Sequence, residues 1–388
     1  MGKIKPKILT DKCFYLHESF VFSRKIYWFI PLVNEKVNIY TACNHEKLVY
    51  DLKYEGAFLV FDHSMDYVVQ SVVEHLLKQY DILKLFKQNE ISLDRLIVLS
   101  PVFDNIFYQK AGIYDYVSYN KKETEDKKYH HIFFNSLWWP YQKAVIKRHL
   151  DLEKLSIKKP TKHFMCLSRR DSLNRRYTNY SLHKNNLFLK GIVSHQRVIE
   201  NDIVKSKSAH VTETRMLSSR SNFDVKAYLK YGYKKHFLDD IADKGKVASD
   251  VKIHLNYSTE SCFELVTETD VLNSMFITEK TLKPLVCKNP FMVSGSAYTL
   301  RFLKNLGFQT FDTLFDESYD DELVFYDRFS IILENMKKLC CLPLEDCLKK
   351  IKSVNEITNY NQKHFLQNSW TFDVEKKIQR RINKVLNV

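Results

Sequence analysis

The chain has 388 residues, a length that fits two to three domains of about 100–200 residues each. Its hydrophobic content of 45% with 14% aromatics is enough to fill packed cores and excludes a wholly disordered chain. Sixty Lys and Arg against 46 Asp and Glu leave a formal net charge of +14, which favours polyanions, nucleotides or an anionic surface without choosing among them.

Glycine is scarce, at 8 residues, and no two glycines are spaced as G-x-G or as the flanking pair of G-x-x-x-x-G-K. The dinucleotide fingerprint and the P-loop are therefore excluded, because both need glycines where backbone N–H groups crowd a phosphate. The 8 cysteines form no C-x-x-C, only the adjacent Cys340 and Cys341. That argues against a structural zinc site and a regular disulfide framework, and reducing cytoplasm is the expected compartment. The N-terminal Met-Gly-Lys-Ile-Lys-Pro leads into no apolar segment, and the run Tyr27 to Val33 is too short to span a bilayer.

In chain order, Ala57 to Phe61 reads as a strand ending in Asp62-His63-Ser64. Val69, Val72, Val73, Leu76, Leu77 and Tyr80 then form one apolar helical face, and Arg95 to Ser100 is the next strand. Strand, helix and strand at this spacing predict a βαβ unit and a parallel sheet. The polar stretch Lys121 to His131 reads as a surface loop, followed by a helix through Trp138 to Leu155. Lys158-Lys159-Pro160 is the expected hinge between an N-terminal α/β domain, 1–157, and a C-terminal α/β domain, 158–388.

Beyond the hinge, His163 to Leu167 reads as a strand, Asn174 to Phe188 as a helix stopped by Gly191, and Ile192-Val193 as a strand. Residues 201–250 are mixed and polar and carry no clear period. Phe263 to Thr267 is an expected buried strand ending at Glu268. Thr278 is a fair N-cap for a helix to about Cys287, with Glu279 suited to its positive first turn. Pro290 to Ser294 is a further strand, and Tyr298 to Asn305 a helix stopped by Gly307. Val374, Ile378, Ile382 and Val385 give a basic amphipathic helix at the C-terminal end of the sequence.

Two constellations could carry chemistry. Ser168-Arg-Arg-Asp-Ser-Leu-Asn-Arg-Arg176 follows a strand end, where the mouth of an α/β sheet takes ligands and guanidinium forks match phosphate. A solvated helix face is the bland alternative. Thr278-Glu-Lys-Thr-Leu-Lys-Pro284 sits at a second strand-to-helix junction. There a diphosphate could use the helix start with Lys280 and Lys283, and Glu279 could accept from ribose hydroxyls. The alternative is a capped helix with an i,i+4 pair of Glu279 and Lys283.

The ordered series F-I-T-E-K-T-L-K-P (276–284), N-P-F-M-V-S-G (289–295), L-x-x-L-G-F-Q-T-F (303–311) and D-E-S-Y-D (316–320) resembles a signature of glycosyltransferase-like proteins of phage, viral and bacterial surface-sugar clusters. Its T-E-K element is also similar to the donor-site motif of α1,3-fucosyltransferases, and the block at 166–176 matches more loosely an N-R-R-x-R-x-x-R block of these proteins. The matches span roughly residues 163–330.

The resemblance implies a GT-B-like fold: two Rossmann-like domains facing a cleft, with the nucleotide-sugar donor on the C-terminal one. It makes Glu279 and Lys280, with Thr278 and Lys283, donor-binding residues, and Arg169, Arg170, Arg175 and Arg176 candidates for the diphosphate. Glu268 is either a donor contact or a strand-end turn. Asp62, with His63 and Asp66 beside it, is the candidate base for the acceptor hydroxyl, against a bland role as a helix-start carboxylate. Asp316, Glu317 and Asp320 are expected to fix the loop after Phe311.

No D-x-D and no H-E-x-x-H occurs, so a metal-independent site without cofactor is expected, with Arg and Lys stabilising the leaving diphosphate. The expected partners are a nucleotide-sugar donor and a glycan or other hydroxyl acceptor, with peripheral contact to an anionic membrane surface. The competing class is a non-catalytic, basic nucleic-acid-binding protein, in which the 23 Tyr and 26 Phe would stack on bases. Interleaving of basic and aromatic residues along one surface would mark that class. The two constellations at strand-to-helix junctions disfavour nucleic acid as a partner.

Overall fold

The structure is a computed structural model, and it describes residues 4–9, 20–29, 38–62, 77–100, 116–119, 129–133, 146, 150–156, 158–168, 172–195, 223–236, 238, 254–268, 271, 277–367 and 369–387. The chain divides into two compact units, one of residues 1–144, 273–276 and 367–388 and the other of 145–272 and 277–366. Each is an α/β unit built on a mainly parallel sheet. The division falls at 144/145 rather than 157/158, and the last 22 residues return to the first unit instead of closing the second.

In the first unit the strands are β1 (Lys7–Ile8), β2 (Ile26–Phe29), β3 (Phe58–Asp62), β4 (Leu96–Ser100), β5 (Tyr116–Tyr119) and β6 (His130–Phe133). They stand in the order β1-β2-β3-β4-β6-β5, all parallel except β5 against β6. β2, β3 and β4 read Ile-Tyr-Trp-Phe, Phe-Leu-Val-Phe-Asp and Leu-Ile-Val-Leu-Ser, the near-continuous apolar runs of strands covered on both faces. On one face Tyr27, Phe29, Leu59, Phe61 and Val98 pack with Leu48 and Leu52 of α2 (His45–Tyr54) and Leu85 and Phe86 of α3 (Ile82–Gln88), the short helix α1 (Ile39–Ala42) preceding α2. Trp28 points to the other face and stacks on Phe20 at 5.6 Å.

Two expectations for this unit need correction. His130 and His131 belong to a strand, not to the surface loop expected through His131, because β6 is paired on both sides, by β4 and β5. Such pairing holds a short polar strand that shows no apolar period. Of the helix expected from Val69 to Tyr80, residues 77–79 are helical and the part before Leu77 lies outside the described residues.

The second unit begins with α4 (Leu152–Ser156), β7 (Lys162–Ser168), α5 (Leu173–Lys184), β8 (Gly191–His195), α6 (Val225–Tyr231), α7 (Leu255–Glu260) and β9 (Ser261–Thr267). It continues with α8 (Glu279–Val286), β10 (Phe291–Ser294), α9 (Thr299–Asn305), α10 (Phe325–Cys340), α11 (Leu344–Lys352) and α12 (Asn355–Leu366). Leu150 and Asp151 are not helical, so the single helix expected through Leu155 is interrupted just before α4; most of its earlier part lies outside the described residues.

The sheet order is β10-β9-β7-β8, every pair parallel. The chain therefore starts at β7, moves outward to β8 and returns to β9 on the other side. This reversal is the point at which connections leave opposite faces and a crevice opens at the carboxyl ends of the strands. Helix α11 packs against β7 and β9, α10 against β10, and α8 against β9 and α12. Phe325, Phe329, Ile332, Met336 and Leu339 are the buried stripe of α10, at helical spacing.

Local chemistry explains the helix boundaries around the crevice. Thr278 caps α8, its hydroxyl accepting from Lys280 N, and Pro284 sits inside the helix, where it has no N–H to offer the carbonyl of Lys280. Asp320 caps α9 by accepting from Leu300 N and Arg301 N at 2.8 and 2.9 Å. Glu317 accepts from Phe311 N and Thr310 Oγ1, each at 2.7 Å, so the acidic cluster does fix the loop after Phe311. Gly307, at φ +87°, ends the last turn of α9, and a Cβ there would lie 2.9 Å from Nε2 of His364.

The C-terminal helix α13 (Ser369–Leu386) belongs to the first unit and buries Ile378, Ile382 and Val385. Lys376, Lys377, Arg380 and Lys384 stay exposed, as the amphipathic pattern predicts. The described cysteines are free thiols, and among the described residues no helix is long and apolar enough to cross a membrane.

Candidate functional site

The reversal between β7 and β9 brings the two sequence constellations to neighbouring strand ends. Ser168 closes β7 and Thr267 closes β9, and their hydroxyls hydrogen-bond at 2.9 Å. Ser168 N donates to Ser194 Oγ on β8 at 3.2 Å, and Ser294 ends β10 opposite Thr267. The carboxyl edge of this sheet thus ends in Ser294, Thr267, Ser168 and His195, four side chains that can all hydrogen-bond.

Asn174, in the first turn of α5, bridges the split by donating through Nδ2 to the backbone carbonyl of Glu268, while its Oδ1 accepts from Arg175 N at 2.9 Å. Glu268 itself is 1% exposed. Its carboxylate accepts from Thr278 N at 2.9 Å, Thr278 Oγ1 at 2.7 Å and Thr281 Oγ1 at 2.6 Å. This is how a helix start binds an anion. A carboxylate of the chain occupies that position on α8, so the backbone N–H of Thr278 is already satisfied.

Glu279 and Lys280 follow. Lys280 Nζ lies 3.0 Å from Glu279 Oε1 and 3.2 Å from Thr278 Oγ1. Burial pushes the Glu279 carboxyl up, but Lys280 and Lys283 outweigh it and hold it below its ordinary value, so it is ionised at neutral pH. Glu279 is buried, while the Lys280 side chain is 24% exposed and Lys283 half-buried. The pair offers a carboxylate acceptor and an ammonium donor side by side, the two functions needed to hold ribose hydroxyls and a phosphate.

The basic block divides. Arg175 is buried in the first turn of α5, and Arg176 lies over the ring of Tyr233 at 5.2 Å. Arg169 and Arg170 lie outside the described residues. The structure therefore groups Glu268, Thr278, Glu279 and Lys280 with Asn174, Ser168 and Thr267, and turns Arg176 to an aromatic partner. Asn174 and Thr281 escaped sequence reasoning, although Asn174 stands inside the quoted basic block and Thr281 lies three residues after the cap Thr278.

Asp62 belongs to the first unit, at the carboxyl end of β3. It is 1% exposed, and its Oδ2 accepts from Trp28 Nε1 at 2.9 Å. His63 and Asp66 lie outside the described residues.

A second polar group sits lower in the same sheet. Glu264, in the middle of β9, has its carboxyl pushed up to about 8 by burial, against the pull of Lys283, Asn289 and Lys158. Lys158 Nζ donates to the carbonyls of Ser261 and Cys262 at 3.5 and 3.4 Å, and burial lowers it to about 8. Glu264 is thus largely protonated at neutral pH and distinct in chemistry from ionised Glu279.

No family model and no curated protein matches this sequence. Among solved structures, the chain is similar to a trehalose-6-phosphate synthase studied for enzymatic glycosyltransfer with retention, at 12% identity and TM-score 0.38 over 91% of this chain and 74% of that one. It is similar also to the α,α-trehalose 6-phosphate synthase of Burkholderia multivorans, at 9% identity and TM-score 0.36 over 93% and 72% of the two chains. A third similar structure is the UDP-forming α,α-trehalose-phosphate synthase of Burkholderia vietnamiensis, at 10% identity and TM-score 0.35 over 91% and 74%.

Proposed function

We propose that the protein is a glycosyltransferase that moves a sugar from a nucleotide-activated donor to a hydroxyl acceptor, with the donor on the second unit. The observation that carries this reading is the reversal of strand order between β7 and β9, with the S-R-R-D-S-L-N-R-R and T-E-K-T-L-K-P segments opening from its two sides. In this reading Glu279 accepts from ribose hydroxyls, and Lys280 with Arg169 and Arg170 neutralises the diphosphate. Glu268 acts on the donor through Thr278 and the helix start it holds. A GT-B type of fold belongs to the same reading, as does a cytoplasmic location. So does contact of the basic face of α13 with an anionic membrane surface.

The chemistry is a substitution at the anomeric carbon. A base, for which Asp62 is the candidate, takes the acceptor hydroxyl proton; the bond to the diphosphate oxygen breaks, and the charge left on the nucleoside diphosphate is met by Lys and Arg. The experiment is a thermal-shift and calorimetric panel of nucleotide sugars and free nucleotides, in which a ligand at 100 times its Kd adds about 2.7 kcal/mol of stability. A panel without any stabilising nucleotide, combined with single-stranded DNA binding of steep salt dependence, would replace this reading with the nucleic-acid one. Transfer should also continue in EDTA, as the lack of a D-x-D in the sequence implies. Loss on chelation with recovery in manganese or magnesium would overturn metal independence.

A further inference from the structure

Two imidazoles meet beside the end of β8. His183, in the last turn of α5, is stacked between Phe188 (centroids 4.1 Å apart, planes at 11°) and Tyr231 (4.7 Å, 15°). Its Nε2 lies 3.1 Å from Nε2 of His236, and the His236 ring also packs on Phe188 at 4.1 Å. His236 is bridged through its backbone to His195, the last residue of β8, by N–H···O bonds of 3.0 and 2.8 Å. Asn179 fixes the same stretch by donating to the carbonyls of Tyr231 and Lys234.

An N···N contact of this length requires one ring to donate and the other to accept. If both rings carry two protons there is no acceptor, and two cations face each other in a site walled by aromatic carbon. We propose that the His183–His236 pair is an acid-sensitive latch that holds the Asp224–His236 segment, including α6, against α5 and the end of β8. This inference is independent of the transferase reading.

The surroundings reinforce it. Burial lowers His183, and Lys234 on the latched segment lowers it further. Burial pushes His236 down to about 4, with His183, Lys234 and the β8 residue His195 acting in the same direction. Tyr231 from α6 and Phe188 from the turn before β8 supply the ring faces, so each resolved electrostatic influence on the pair is a cation or another imidazole. A base depressed in the folded state contributes stability above its ordinary value near 6.5 and loses it as pH falls toward about 4. The segment should therefore be tight above about pH 7 and loosen progressively below it. Ser168 is paired in register with His195, so the loosened element adjoins the strand ends of the crevice.

Hydrogen exchange by mass spectrometry on the full chain at pH 7.5 and 5.0, corrected for intrinsic exchange, tests this. Opening of residues 225–236, measured against peptides of β9 and β10, should rise on the order of tenfold at the lower pH, a figure discounted for partial solvent exposure of the rings. His236→Gln keeps a neutral hydrogen-bonding partner for His183 and should reduce the pH-dependent rise, as should His183→Gln, and the two together should abolish it. His195→Gln, which leaves the pair intact, should keep it. An unchanged ratio in the unsubstituted protein, or a rise that survives both Gln substitutions in the pair, overturns the latch. The first readout needs no variant to fold.

Discussion

In the first unit the strands follow one another across the sheet as β1-β2-β3-β4-β6-β5, whereas in the second the chain starts at β7, goes out to β8 and comes back to β9 and β10. Among the described residues the return across the starting strand belongs to the second order, and such a return opens a crevice at the strand ends. β2, β3 and β4 finish in Phe29, Asp62 and Ser100, and Asp62 accepts from the indole N–H of Trp28. β7, β8, β9 and β10 finish in Ser168, His195, Thr267 and Ser294. Strand order makes the second unit the place to look for a nucleotide.

The proposed split of donor and base between the units can be broken by substitution. The largest effect is expected from Asp62→Asn, which keeps an acceptor for Trp28 yet removes the proposed base. Turnover should fall at least about a hundredfold while donor affinity, measured by calorimetry, stays the same. Near-normal turnover would leave Asp62 as the acceptor of the Trp28 bond and no more.

Next comes the second unit's own pair. Glu279→Gln and Lys280→Ala should each weaken donor binding about 30-fold, the scale of a charged hydrogen bond, with the urea midpoint of the Lys280 variant little changed. Donor affinity that survives both would remove the donor from this helix start.

A third substitution contrasts two carboxyls of the same unit. Glu264 is raised to about 8 by burial, so the folded state holds a proton that the unfolded state releases above its ordinary value of 4.5. Its stabilising contribution is full below about pH 4.5 and is lost as pH rises through about 8. Relative to the parent, Glu264→Gln should therefore gain stability between pH 6.0 and 8.5 and lack this slope, as read by urea unfolding at the two pH values. Parallel pH profiles for parent and variant would contradict it.

Thr278→Ala removes an N-cap oxygen, worth about 1 kcal/mol, together with one of the three hydrogen bonds to the Glu268 carboxylate. Its loss should appear in stability, and in donor binding only through the helix start. A stability loss of several kcal/mol would mean that Glu268 depends on Thr278 far more than on Thr281.

Much of the second sheet was legible because β7, β9 and β10 are short apolar runs closed by polar residues, and Thr278-Glu279 announces its helix by cap and charge. β2 was harder to see, since Tyr27 to Val33 reads equally as an apolar patch of any kind. Helices α10, α11 and α12 went unread, although the stripe Phe325, Phe329, Ile332 and Met336 carries a helical period. The role of Glu268 could not be read at all. Its partners lie 10 and 13 residues away across a strand-to-helix connection, and no local period encodes that closure.

The return of the chain to its first unit at residue 367 has a practical consequence for dissection. A fragment cut at 144 would lack α13 and expose the pocket that Ile378, Ile382 and Val385 fill. A fragment from 145 onward would carry that helix with nothing to cover its apolar stripe. Neither cut yields a self-sufficient piece. Splicing 144 to 367 through a linker would restore α13 to the first unit but still omit its residues 273–276, and a truncation of α13 is, in folding terms, an edit to the N-terminal half.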